Sequence, residues 1–164
     1  MRILGIDPGS RLTGFGIIDI EGDRVRPVHF GVIKAGTGEF TGRRGIIFSG
    51  IRDLVAEYRP DEAAVETVFV SHNANSAIKL GQARGAAVCA VIDGDIPVAE
   101  YSPRSVKQAI VGRGAADKVQ VQHMVRVLLG LSEAPQEDAS DALAVALCHF
   151  HTQSTVNRIP GMSA

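Results

Sequence analysis

The sequence predicts an α/β domain, a mixed five-stranded sheet flanked by helices on both faces. Three observations predict it. Three strand-like runs follow one another near the start with short turns between them. After residue 40, helix-like and strand-like segments alternate. The 164 residues, 45% of them hydrophobic, are enough to fill one core.

Each element has a local reason. Residues 2–7 are mostly apolar and read as a buried strand, and Asp7-Pro8-Gly9-Ser10 is a turn marked by Pro and Gly. Residues 13–20 and 25–34 resume as strands, giving an antiparallel meander. Residues 42–58 read as a helix with Ile46, Ile47, Ile51, Leu54 and Val55 on its inner side, and Pro60 stops it. A short strand over 62–66 ends in Glu66. A helix over 73–93 starts at Asn73 or Asn75 and is rich in Ala, with Gly81 and Gly85 in its interior. Gly costs about 1 kcal/mol against Ala there, so close approach of another backbone is expected. Residues 97–100 form the fifth strand. A helix then begins at Ser102-Pro103, with Pro suited to the first helical position. Gly-rich 112–117 connects to a helix over 117–130, and the last helix spans 136–152. One domain over 1–152 is expected, with 153–164 a flexible tail.

Composition narrows the function classes. Cys89 and Cys148 lie among small apolar residues without CxxC spacing, so both read as buried reduced thiols and neither a disulfide framework nor a zinc site is expected. There is no signal-peptide pattern and no run of about 18 apolar residues. A cytoplasmic protein that does not span a membrane follows as the expectation. The net charge of −1 argues by itself against nucleic-acid binding, but its distribution does not. Residues 102–126 carry Arg104, Lys107, Arg113, Lys118 and Arg126 against the single acid Asp117. Residues 132–141 carry Glu133, Glu137, Asp138 and Asp141 and no base. A basic surface beside an acidic pocket suits a metal-dependent nuclease: bases meet phosphates while metal cancels the pocket's charge.

The acids supply the candidate chemistry. Asp7 and Glu66 end two strands, where a buried carboxylate is costly unless compensated. Asp138 and Asp141, at i and i+3, share one face of the last helix. Four converging carboxylates make an all-oxygen site suited to magnesium. Two such ions about 3.5–4 Å apart clamp the attacking and leaving oxygens of a phosphoryl displacement. His149 and His151 flank Phe150 on the last helix and read as core or surface residues, not as ligands.

Longer strings carry a resemblance. GIDPGSRLTGFG (5–16), VETVF (65–69), NANSAIKLGQARG (73–85), YSPRSVKQAIVGRGAADKVQVQHMV (101–125) and DASDALAVALCH (138–149) resemble the RuvC-type crossover junction endonucleases, the bacterial Holliday junction resolvases. The resemblance implies a ribonuclease H-like fold and hydrolysis dependent on two Mg2+ ions, for which Mn2+ can substitute. It implies symmetric cutting of two opposing strands of a four-way DNA junction in recombination and repair, leaving 5′-phosphate ends. Asp7, Glu66, Asp138 and Asp141 would be catalytic and metal-binding. Phe69 would stack on a junction base, and Lys107 and Lys118 would face the DNA. Arg104, Arg113 and Arg84 are phosphate contacts on charge alone. The partners implied are a second copy of the chain, docked through helix 73–93, and the RuvA–RuvB branch-migration complex. A ribonuclease H-like nuclease acting on structured RNA is the alternative. The string 101–125 argues against it.

Overall fold

The computed structural model describes residues 1–67 and 73–158. Five strands, β1 (Arg2–Asp7), β2 (Leu12–Glu21), β3 (Arg24–Lys34), β4 (Glu62–Glu66) and β5 (Val98–Tyr101), form one sheet. Its order is β3-β2-β1-β4-β5. The meander β1–β2–β3 is antiparallel, whereas β4 and β5 run parallel to β1. Pro27 lies within β3, an edge strand, where its missing N–H breaks no ladder.

Helices cover both faces, as expected. Period-two alternation decides which residue faces which layer. Leu4, Ile6, Phe15, Ile17, Ala63 and Val65 point to one side, against α1 (Phe40–Tyr58) and α2 (Ala74–Asp93). Ile3, Ile18, Ile20 and Ala64 point to the other, against α3 (Pro103–Val111), α4 (Lys118–Leu128) and α5 (Glu137–Arg158). Asp7, Glu62 and Glu66 belong to the second set, since each is an even number of residues from Ile3 or Ala64.

The helix starts follow their caps. The Asn73 side chain accepts from the N–H groups of Asn75 and Ser76. Ser102 caps α3, with Pro103 in its first turn. Asp117 and Gln120 make a reciprocal capping box on α4.

Two expectations are corrected. Ile46 faces outward at 47% exposure, because the buried stripe of α1 runs through Ile47, Ile51, Leu54 and Val55, a phase that leaves Ile46 outside. Cys148 is buried, but Cys89 is exposed on the outer side of α2. Gly81 and Gly85 meet no neighbour within 4 Å among the described residues, so the close approach of another backbone expected there is not made by the described part of this chain. In addition, α5 continues to Arg158, six residues beyond 152. Among the described residues no helix is long and apolar enough to cross a membrane.

Candidate active site

α5 approaches the sheet unusually closely, because three strand glycines face it. A Cβ on Gly14 would lie 1.9 Å from the Asp138 carbonyl oxygen. One on Gly5 would lie 2.1 Å from that of Ala142, and one on Gly16 2.7 Å from the Leu143 side chain. Gly5 pairs with Gly16, and Gly14 with Asp7. Gly14 therefore lets the first turn of α5 sit beside the end of β1, bringing Asp138 and Asp141 to Asp7. Glu66 joins them because Ile6 pairs with Val65 in the parallel β1/β4 ladder, so both strands end side by side. These glycines were not read from the sequence as site residues. Their signal was available, as glycines at alternate positions inside strands.

The turn after Asp7 is fixed from two sides. Buried Thr13 donates through Oγ1 to the Gly9 carbonyl at 3.0 Å, and Arg43 Nη1 donates to the Ser10 carbonyl at 3.1 Å.

The electrostatics show that the acids share one field. Burial pushes Asp7 up to about 8, reinforced by the charges of Glu66, Asp141 and Asp138 and opposed by Lys118. Burial also raises Glu66 to about 7, with Asp141 adding and Lys107 and Lys118 subtracting. Asp141 is raised by burial as well, against the hydrogen bond from Lys118. Burial disfavours the Lys118 ammonium, but hydrogen bonds to Glu137 and Asp141 outweigh it and hold its pKa above the ordinary value. Lys118 Nζ pairs with Asp141 at 2.9 Å and also with Glu137. Asp138 accepts from Gln136 Nε2 at 2.7 Å.

Glu66, Lys107, Lys118 and Asp141 line a cleft of about 240 Å³, with Pro103, Val106, Val121 and Ala144 as its apolar wall. Asp7 and Asp138 are not in this lining. A shallower groove of about 760 Å³ continues from Pro103 and Lys107 past Arg104 and Arg113.

Four carboxylates without soft ligands fit a hard divalent cation in donor chemistry. The upward shifts of Asp7, Glu66 and Asp141 mark negative charge that Lys107 and Lys118 compensate only in part. The ligation distances of such a site are not formed: among the described residues no three acidic, histidine or cysteine side chains bracket an ion position. Mutual repulsion opposes a closer approach of like charges.

The remaining expected residues divide. Lys107 and Lys118 lie at the cleft, and Arg104 and Arg113 along the groove. Arg84 does not suit a phosphate contact, because Nη2 lies 2.8 Å from Glu100 and its side chain is only 21% exposed. Phe69 lies outside the described residues.

A family model described as crossover junction endodeoxyribonuclease RuvC matches residues 3–149. The RuvC of Burkholderia vietnamiensis is 52% identical over 163 residues, which is 99% of this chain and 91% of that protein. The RuvC of Pelobacter propionicus is 56% identical over 157 residues, 95% of this chain and 89% of that one. The solved structure of Thermus thermophilus RuvC in complex with Holliday junction substrate is 37% identical with a TM-score of 0.89, covering 94% of this chain and 96% of that one. A yeast mitochondrial Holliday junction resolvase shares the fold alone, at 13% identity and a TM-score of 0.65. The fold is thus the ribonuclease H-like one expected, and the chain belongs to the RuvC family of crossover junction endodeoxyribonucleases.

Proposed function

We propose that the protein resolves four-way DNA junctions by metal-dependent hydrolysis, cutting two opposing strands symmetrically and leaving 5′-phosphate ends. One observation carries the site assignment. Asp7 and Glu66 end adjacent strands, and Gly14 seats the first turn of α5, with Asp138 and Asp141, beside them; burial and the neighbouring acids raise both Asp7 and Glu66. Acids held in this condition bind a divalent cation with a large electrostatic gain. Family membership supplies the substrate class.

Asp7, Glu66, Asp138 and Asp141 would hold the metal, with two Mg2+ ions as the reading and Mn2+ as a substitute. When bound, such ions supply a hydroxide-forming water and charge stabilisation at the leaving oxygen. The chain's own residues do the rest. Lys118 sits at the cleft mouth, half exposed, where it can exchange Glu137 for a phosphate oxygen. Lys107 faces the same cleft from α3. Arg104 and Arg113 extend the positive track along the groove and neutralise backbone phosphates leading away from it. Phe69 keeps its proposed role as a base-stacking residue.

A junction with two-fold symmetry calls for two sites related by that symmetry, hence an isologous dimer. The outer stripe of α2 supports this. Ile78 and Ile92 are each 58% exposed, and Gly81, Gly85 and Cys89 lie between them at helical spacing. Ile78→Glu with Ile92→Glu should convert the dimer to monomer in sedimentation, and an unchanged sedimentation coefficient would remove α2 from the interface. Family membership also suggests that the RuvA–RuvB branch-migration complex delivers the junction, which co-purification on a junction tests.

The deciding assay compares a synthetic four-way junction, linear duplex, single strand and a four-way RNA, each with and without Mg2+. Cutting confined to the DNA junction with Mg2+ is expected. Equal cutting of all DNAs, or preference for RNA, contradicts the reading.

A further inference from the structure

A second polar cluster lies on the active-site face: Glu62 and His149 stand at the far end of the β4–α5 contact, and Tyr101, whose backbone pairs with Glu66, reaches them through its hydroxyl. His149, only 4% exposed, stands among the apolar residues of α5. Its Nε2 lies 2.5 Å from Glu62 Oε2, and its Nδ1 lies 2.8 Å from the Tyr101 hydroxyl. Gln153, one turn further along α5, donates to the same Glu62 oxygen. With Nε2–H donated to the carboxylate, Nδ1 is left to accept the tyrosine proton, so a neutral imidazole satisfies both bonds. The cluster ties β4, β5 and α5 together.

Those three elements also carry the active site. Glu66 ends β4, Asp138 and Asp141 open α5, and Tyr101 is the last residue of β5, directly before the α3 segment bearing Lys107. The spacing matters. Four residues of strand separate Glu62 from Glu66, about 13 Å at 3.3 Å per residue. Eight residues of helix separate Asp141 from His149, about 12 Å at 1.5 Å per residue. The two lengths nearly coincide, so fixing His149 on Glu62 fixes Asp141 opposite Glu66. Between them the contact is made by Ala64, Val145 and other apolar groups. Close packing on Gly5, Gly14 and Gly16 sets the distance of α5 from β1 and β2, and along β4 hydrogen bonds of defined angle add a directional constraint that apolar contact lacks.

We propose that Glu62, His149 and Tyr101 are positioning residues that set the register of α5 on β4 and thereby the spacing of the catalytic carboxylates. They touch neither substrate nor metal. The inference rests on the assignment of Glu66 and Asp141 to the nuclease site.

The test uses the intact chain and two variants. His149→Phe keeps ring volume but removes both bonds and leaves Glu62 with Gln153 as its remaining partner in the cluster. Glu62→Leu/His149→Phe replaces the pair by apolar groups, an exchange that commonly restores stability. Both should lower kcat for junction cutting about ten- to a hundredfold. Junction KM and junction binding without divalent metal should stay within about twofold, the bound set by the untouched phosphate contacts. The melting temperature should drop in His149→Phe and recover in the double variant, without recovery of kcat. Return of kcat together with the melting temperature would reduce the cluster to a stabilising role and overturn the inference, as would wild-type kcat in His149→Phe. A crystal structure of the double variant gives a readout independent of activity. A displaced Asp141 relative to Glu66 supports the inference and a superimposable pair overturns it, even if the wild-type protein failed to cut junctions.

Discussion

Glu62 and Glu66 sit on one strand, on one face, under one helix, and the protein treats them oppositely. Glu62 receives His149 and Gln153. The Glu66 carboxylate has no side-chain hydrogen bond among the described residues, and burial beside Asp141 pushes it to about 7. The same contrast separates Asp19, which Arg2 grips through two nitrogens at 2.7 and 2.9 Å and holds below the usual carboxylate range, from Asp7 on the neighbouring strand. Burial alone does not make an acid functional. An acid that is buried and left with little compensation is the kind we propose binds an external cation.

The strongest way to break this comparison is Asp7→Asn. Junction cutting should fall at least about a thousandfold, ~4 kcal/mol of barrier, while metal-free junction binding stays close to wild type in a mobility-shift assay. Loss of binding alongside cutting would mean that Asp7 holds the fold. Next in size is Gly14→Ala, which sets a methyl group against the Asp138 carbonyl. It should cost about 3 kcal/mol in a denaturant titration. Exposed Gly45, within α1 and without neighbours, is the control, and Gly45→Ala should gain up to about 1 kcal/mol.

The two glutamates then give opposite signs. At pH 8 without divalent metal, Glu66→Gln should raise stability by about 2 kcal/mol, since it removes a charge the fold destabilises. Glu62→Gln should lower it by about 1 kcal/mol through lost charge-assisted bonds. The pH profile follows the same logic. Asp7 and Glu66 have folded pKa values above their ordinary ones, so between about pH 4 and 8 the folded chain binds more protons than the unfolded chain. Metal-free stability should therefore fall as pH rises through that window, and Asp7→Asn or added Mg2+ should flatten the slope. A slope of the opposite sign in thermal melts would contradict the assignment of both acids. The smallest effect belongs to the groove. Arg104→Ala and Arg113→Ala should each reduce the salt dependence of junction affinity by about one unit of slope, with the cutting rate at saturation unchanged.

Much of this was legible in the sequence, for local reasons. Strand β4 was read over the same residues the structure shows, because Pro60 and the polar residues after it bound the run EAAV. Pro103 marks one helix start through its fixed backbone, and the pair Asn73 or Asn75 marks another, where the Asn73 side chain makes the cap. The Asp138–Asp141 pair shared a face by helical period alone. What stayed hidden depends on partners distant in sequence. Glu62 and His149 are 87 residues apart, and nothing beside either one names the other. Gly5, Gly14 and Gly16 look like weak strand residues until α5 lies across them. The apolar run around Ile46 fits two helical phases, and the packing of α1 on the sheet selects the one that leaves Ile46 outside. Cys89 looked buried among alanines, but it lies on the side of α2 that faces away from α1.

The central claim is that Asp7, Glu66, Asp138 and Asp141 form one cation-binding site. Anomalous diffraction from crystals soaked in Mn2+ tests it most directly. Density between these carboxylates, with Lys118 withdrawn from Asp141, is the predicted result. Manganese bound elsewhere on the chain, with these carboxylates and the Lys118–Asp141 pair unchanged, would contradict it.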